Sequence, residues 1–474
     1  MPHSPRLPAF EPHTRTWYVS TEDAPATAVP VPSFEGDFVL DAPSRREMAE
    51  DFGHIVHRTP AAVLRPASAE DIVKLVRFAN AHGLQVSMRG QAHSAFGQAQ
   101  VEGGVVIDSR SLHRIHAISA TQGAVVDAGV RWSELLGASL AHGLTPPVLT
   151  GFLELSVGGT LCVGGVGGAT HRYGFQADNV LALEVVTGQG ERIECSATEH
   201  PELFHSVLGG LGQFALITRA TLRLHAAPTT SRTYQLTYSD SQRWIEALGL
   251  AAEDERFDSL KGKVVPGPGG TLSYLLIASK DFTPPQSPDD RELLRGLNPD
   301  ASVAPIIADE PYFDWMNQLA PAVARLEKSG AWSQPHPWFD VFLPASQTRA
   351  FVDEALARLP LEDIAQAFVL LYPVKRERLG CAFIQVPTEQ RLFLFDILPL
   401  ASPTPATAKR RVEDNQRLHA RAIGLGGKKY TIAAIPFTPA DWREYFGPDW
   451  SLFEQRKARF DPRRVLTPGQ GIFA

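Results

Sequence analysis

At 474 residues, with 44% hydrophobic and 20% charged positions, the chain reads as a soluble globular protein too long for one simple core. A formal charge of −7 gives no electrostatic reason to bind nucleic acid or an acidic membrane surface, and no apolar run is long enough to span a bilayer. Cys162, Cys195 and Cys381 form neither a CxxC pair nor a disulfide framework; with an amino terminus lacking an apolar leader, they predict a reducing, cytoplasmic setting.

Residues 1–45 are rich in proline and polar residues and are expected to drape over the surface. A strand follows at 61–64. A helix then starts at Ser68, capped by Ser68 with Asp71, and sets Ile72, Leu75, Val76 and Ala79 on one face before stopping near Gly83. The stretch 86–108, VSMRGQAHSAFGQAQVEGGVVID, reads as strand, loop and strand. Gly90 and Gly97 let main-chain N–H groups approach a ligand, and such a run suits a pyrophosphate. His93 sits in the middle of this loop.

Short strands are predicted at 114–118 and 124–128, and a helix at 132–142 stopped by Gly143. The tract 145–180 is dense in glycine, which opposes any helix and predicts close backbone packing around a flat ligand. Strands at 181–187 and 191–195, a helix at 201–208 and a strand at 215–224 come next. Gly210, Gly212 and Ala215 spell GxGxxA, but helix-then-strand is the wrong order for a Rossmann turn. Beyond residue 228, helices at 244–252, 321–328 and 348–359 interleave with strands at 272–278, 338–344, 367–372, 382–386 and 392–398. This predicts a second α+β layer, with Trp338 and Phe342 assigned to its core. A helix at 450–460 and a Pro-Gly turn close the chain.

RGQAHSAFGQA resembles the flavin loop of the covalent FAD oxidoreductases of the vanillyl-alcohol oxidase type, and is most similar to the R-G-x-G-H-S-x-x-G-Q-A of the cytokinin dehydrogenases. Ala92 departs from it, standing where the family usually has glycine. Thr150, Leu153, Leu155, residues 157–161, Gly165, Gly168, Arg172, Gly174 and Gln176 match the family's second flavin motif. LFHSVLGGLGQFALITRA and the closing FDPRRVLTPGQGIF are also similar to family segments. The resemblance covers residues 50–474, and is patchy over 230–430. It implies an α+β protein: a PCMH-type FAD-binding domain of two α/β subdomains, plus an α+β substrate domain with an antiparallel sheet. The implied division is an extension at 1–45, FAD-binding domain at 46–228, substrate domain at 229–435 and a return at 436–474.

The same resemblance implies FAD bonded covalently through His93. Its expected surroundings are Met88, Gly90, Gln91, Ala92, Ser94 and Gln98, then Gly151, Ser156, Gly159, Cys162 and Val166, with Ile217 and Gln470. No cysteine lies at 155–158, so a single covalent bond is expected. Gly151 stands where the family carries the aspartate that takes the substrate proton, and a glycine cannot act as a base. Glu154, His171 and Asp396 are therefore the candidate replacements, with His171 ahead because a histidine titrates near neutral pH. The expected activity is oxidation of a small metabolite, with oxygen or another electron acceptor, by a monomer or homo-oligomer. Alternatives are an oxidative decarboxylase or cyclase, or a flavin-binding scaffold without catalysis.

Overall fold

The computed structural model describes residues 7–402 and 404–473, and its first α/β unit forms where the hydrophobic period changes from two to nearly four. Ala62–Arg65 and Val86–Arg89 both lie parallel to Val105–Asp108 between them, and Asp37–Val39 closes the sheet antiparallel. The helix Ala69–His82 buries Ile72, Leu75, Val76 and Ala79 against this sheet and ends at Gly83, whose φ of 62° is the left-handed turn glycine tolerates. Its cap differs from expectation. Ser68 makes no cap bond, while the buried Asp71 carboxylate accepts from the N–H groups of Glu35, Gly36 and Ala67 at 2.8–2.9 Å. One carboxylate gathering three main-chain donors outcompetes a hydroxyl that can take one.

That clamp begins to explain why the extension does not drape. Ala9–Glu11 pairs with Thr16–Tyr18 and Val29–Pro30, and Phe10 is fully buried with its ring 4.7 Å from Trp17 and 6.3 Å from Phe78. Residues 1–6 of the expected extension lie outside the described residues.

A five-stranded antiparallel sheet follows, in the order Arg192–Ser196, Val180–Thr187, Ala215–Leu222, Gly123–Asp127 and Ile115–Ser119. The carboxyl-terminal segment returns to the first sheet. Val86 N–H donates to Val465 O, and Thr467 N–H donates to Val86 O, both at 2.8 Å. Lys457 and Asp461, both buried, fasten this return at 2.8 Å. Lys457 also donates to Gln213 O and Leu466 O, and Asp461 accepts from Val465 and Leu466 N–H.

Between these elements stands an eight-stranded antiparallel sheet: Ile306–Pro311, Thr230–Tyr238, Leu272–Phe282, Ser259–Pro266, Ala367–Lys375, Arg391–Pro399, Phe339–Pro344 and Lys428–Lys429. One face, with Val264, Val369, Leu371 and Phe395, belongs to a core shared with the helices Ser241–Glu253, Ala345–Ala357 and Pro405–Gly424. The sequence pattern did not mark four of these strands, Thr230–Tyr238, Ser259–Pro266, Ile306–Pro311 and the two-residue Lys428–Lys429, nor the helix Pro405–Gly424. The strand expected at 382–386 is irregular instead, because Gln385 N–H is taken by the Tyr445 hydroxyl at 3.1 Å rather than by a neighbouring strand. No helix among the described residues is long and apolar enough to cross a membrane.

Lys457→Met leaves the Asp461 carboxylate buried without its cation. It is expected to cost about 3–5 kcal/mol in urea unfolding, the range for breaking a buried pair from one side; a loss below about 1 kcal/mol would show that the return is held by other contacts.

Candidate active site

A cavity of about 530 Å³ separates the strand–loop–strand unit and the glycine tract from the free face of the eight-stranded sheet. The loop after Val86–Arg89 forms one wall, and its shape is imposed by residues 51–53. Asp51 accepts from the Ser94 hydroxyl at 2.9 Å and Gly97 N–H at 2.6 Å, while Phe52 and Gly53 N–H donate to Ala92 O and Ser94 O. Burial pushes the Asp51 carboxyl up to about 6, against the bonds from Gly97 and Ser94 that favour its charged form. Gln98 accepts from Phe96 N–H at 2.7 Å. Ala92 takes φ of 53°, so the position usually glycine in the resembling family is indeed a left-handed one. Among the described residues the N–H groups of Gln91, Ala92, His93 and Ser94 have no acceptor. They form a row of donors suited to a pyrophosphate.

His93 stacks on Phe52 at 4.0 Å and 12°, and Phe52 stacks on His336 at 4.1 Å and 8°. Phe152 and Trp338 complete the aromatic surround at 5.0 and 5.2 Å. The ring's Nε2 has no partner. His93 is half-buried by surface because it faces the cavity, yet its shielding from bulk water pushes its pKa down to about 3, with the neighbouring His336 adding to the effect. The imidazole is thus neutral near pH 7, with a lone pair free to bond.

The glycine tract forms the opposite wall. Against expectation it holds two short helices, Val157–Leu161 and Thr170–Tyr173. The first is fixed from outside: Val157 and Gly158 N–H donate to Val130 O and Ala128 O, and Trp132 Nε1 donates to Thr160 Oγ1 at 2.8 Å. Gly90 meets this helix end so closely that an added Cβ would lie 2.0 Å from Ser156 Oγ.

The sheet supplies the floor. Asp340 and Asp396 lie directly opposite each other on adjacent strands, both buried, with Asp340 Oδ2 and Asp396 Oδ1 unpartnered. Burial raises both carboxyls, and their proximity raises Asp396 further, so the pair retains a proton well above the usual carboxylate range. The nearby cation, Lys429, is itself buried. Its Nζ donates to Ile435 O at 2.8 Å and lies 4.0 Å from the Phe437 ring, and burial pushes it down to about 7.

Residues 60–196 match the family described as "FAD binding domain", and residues 291–473 match "Cytokinin dehydrogenase 1, FAD and cytokinin binding". Cytokinin dehydrogenase 4 of Arabidopsis thaliana is 33% identical, over 90% of this chain and 90% of that protein. An uncharacterized oxidoreductase in the fasciation locus of Rhodococcoides fascians is 39% identical, over 88% of this chain and 95% of that one. The chain belongs to the cytokinin dehydrogenase family of FAD-linked oxidoreductases. A solved 6-hydroxy-D-nicotine oxidase from Arthrobacter nicotinovorans shares the fold, with a TM-score of 0.71 at 23% identity over 91% of this chain and 96% of that one. The fold is therefore the PCMH-type FAD-binding α+β architecture with its antiparallel substrate sheet, and the enzyme is FAD-dependent.

All fourteen residues expected around the flavin line the one cavity. Met88, Gly90, Gln91, Ala92, His93, Ser94 and Gln98 come from the loop side, and Gly151, Ser156, Gly159, Cys162 and Val166 from the tract. Ile217 and Gln470 complete the set. The free loop amides, the unpartnered Nε2 and the open space at Gly151, where a Cβ would meet only Tyr372 Oη at 3.9 Å, fit this cofactor.

The three candidate bases fare differently. Asp396 is buried and faces the cavity. His171 is fully buried away from it, its ring held between Gly168 O at 3.0 Å and Phe257 O at 3.2 Å. Burial pushes it down to about 4. Glu154 is drawn outward into an ion pair with Arg131 at 2.6 Å. Neither is placed to act on a substrate in this cavity. Trp338 packs against a small cluster of Ala95, Val412 and Ala434 and also lines the cavity, and Phe342 is core as expected. Asp340, Tyr372, Lys261 and Lys263 also line it and were not singled out from sequence. Asp340 carries the signal that marked Asp396, a charge inside an apolar strand.

Gly90→Ala is expected to cut the flavin content of the purified protein by more than half, read as the ratio of visible to ultraviolet absorbance. Because both clashing atoms belong to Ser156, Gly90→Ala with Ser156→Gly should regain it. Loss that persists in the double variant would mean the close approach is not the cause.

Proposed function

We propose that this chain holds its FAD covalently through His93 and oxidises a small molecule whose proton is taken by the Asp340–Asp396 pair. The observation that carries the reading is the juxtaposition of a neutral, unpartnered His93 ring with two buried carboxyls across one cavity. When bound, the flavin accepts a hydride from the substrate and passes the electrons to oxygen or another acceptor.

The protein's part is position and proton management. Phe52, Phe152 and Trp338 shield the attachment point from water, and the aliphatic floor of Leu370, Leu394 and Leu398 selects a largely apolar substrate body. As the carbon bearing an amine or alcohol gives up its hydride and the C=N or C=O bond forms, the N–H or O–H proton would pass to a carboxylate oxygen of the pair, and the second carboxyl would steady the first by sharing its proton. The base thus sits on the sheet and not at position 151. Gly151 leaves space where a cytokinin side-chain amine would otherwise meet a carboxylate, so cytokinins are poor substrates in this reading. Cys162 remains a thiol that burial pushes up to about 12, consistent with a single covalent bond.

Covalent attachment is tested by acid precipitation: the pellet of the wild type should stay yellow, and His93→Ala should release its colour into the supernatant. Wild-type colour that washes out would overturn the attachment.

The proton acceptor is tested by anaerobic flavin reduction with any bleaching substrate. Asp340→Asn with Asp396→Asn should slow reduction by about 10²- to 10⁴-fold, the usual worth of general-base assistance. Because the base must be deprotonated and burial raises the pair, the wild-type rate should rise with pH along a limb above the ordinary carboxylate range. Asp340→Asn removes the like charge that raises Asp396 and should move that limb to lower pH. Wild-type rates and an unshifted limb in the double variant would show that no carboxyl here takes the proton.

A further inference from the structure

The cavity floor carries a second pair of charges. Lys261 and Lys263 alternate with Gly262 and Val264 along Ser259–Pro266, and both lysines line the cavity while Gly262 is pressed against Trp244 on the other face. Among the described residues neither Nζ has a carboxylate or any hydrogen-bond acceptor. Each faces an aromatic ring: the Trp315 ring centre lies 6.0 Å from Lys261 Nζ, and that of Phe368 lies 5.6 Å from Lys263 Nζ. The other sequestered lysines of this chain are all satisfied, Lys375 by Glu255, Lys429 by Ile435 O and Lys457 by Asp461. Shielding from water, with Lys263 adjacent, pushes Lys261 down to about 8. Two like charges kept together in a shielded cavity are costly unless an anion comes to them.

Strand register fixes where that anion would sit. Lys263 is opposite Leu370, Leu370 opposite Asp396, and Asp396 opposite Asp340, so the four form one transverse row. With strands about 4.8 Å apart, the lysine end of the row lies about 10 Å from Asp396. At the other end Trp338, two residues before Asp340 and just ahead of its strand, lies with its ring 5.2 Å from that of His93. The acid pair therefore stands between the flavin attachment point and the lysines.

We propose that Lys261 and Lys263 bind the anionic end of the substrate, an elongated molecule with a carboxylate or phosphate monoester about 10 Å from the carbon it presents to the acid pair. This rests on the cavity being the site of oxidation. An anion held by the lysines is an anchor and stays in the product, which separates the reaction from a decarboxylation.

The test is equilibrium binding to the flavin-loaded enzyme, followed by tryptophan fluorescence and flavin absorbance without turnover. The probes are phenylbutyrate against phenylbutyramide, and phenylbutyl phosphate against phenylbutanol. At least one anion should bind about 10- to 100-fold tighter than its neutral partner, the worth of one charge-assisted bond. Whichever anion shows the larger preference identifies the group. Lys261→Met with Lys263→Met should abolish the preference and leave the neutral compounds unchanged, while Lys261→Arg with Lys263→Arg should keep it. Should the double methionine variant fail to fold, Lys263→Gln alone is expected to lose about tenfold in anion affinity. Equal binding of charged and neutral probes, or a preference that survives removal of the lysines, would overturn the anion site. Anion preference in an enzyme whose flavin no substrate bleaches would overturn the reaction and leave the anion site standing.

Discussion

The His93 loop depends on one buried carboxylate. Asp51 takes the Ser94 hydroxyl and Gly97 N–H at once, and residues 52 and 53 bind the loop's own carbonyls from the same side. With its carbonyls and polar side chains so engaged, the loop is left presenting N–H groups toward the cavity. Ala92 can then be held at a positive φ that an alanine would leave if the loop were free. The same segment contributes Phe52, whose ring lies between His93 and His336. A single short stretch therefore sets both the row of free backbone N–H groups and the orientation of the imidazole.

The eight-stranded sheet meets a different constraint, because its two faces have opposite duties. The period of two puts Val369, Leu371 and Phe395 into a dry core and their neighbours Leu370, Tyr372, Leu394 and Asp396 into the cavity. A slip of one residue would bury the carboxyls among helices and expose the core, so the apolar face enforces the register that brings Asp340 opposite Asp396. The geometry of the acid pair is thus secured by residues that never touch a substrate. Asn415 extends that support from the far side: its Nδ2 reaches the carbonyls of Pro337, Trp338 and Ala434, fixing the strand entry beside the cavity.

The flavin wall was legible in sequence because its signals are local. Glycines, a loop histidine and flanking strands fall within a few residues of one another, and the resembling motifs extend that reading to Gly151, Ile217 and Gln470. The floor was less legible because its meaning lies in pairing between distant strands. Asp340 and Asp396 each look like a misplaced charge until register sets them together, and the Lys261 strand was not recognised at all. Local proximity also misled. His171 lies in the tract that lines the flavin wall, yet its ring turns away to Gly168 and Phe257, since chain position does not fix side-chain direction. The helix Pro405–Gly424 was hidden by a narrow stripe of Ala408, Val412, Leu418 and Ala422 broken by the polar Asn415. That asparagine is buried because it is satisfied, which no hydrophobic pattern can register.

A proton acceptor on the sheet, as proposed, rather than in the glycine tract would change what a substrate must look like. A carboxylate at position 151 would stand on the glycine-tract wall, and the substrate amine would have to turn toward that wall. Gly151 leaves that place open, with Tyr372 Oη the one side-chain atom near an added Cβ. The acid pair lies instead on the floor, in one row with Lys263, and Trp338, two residues before Asp340, lies beside His93. A substrate lying along this row is read by its length and by the charge at its far end, whereas one reaching up to position 151 is read by its side-chain nitrogen.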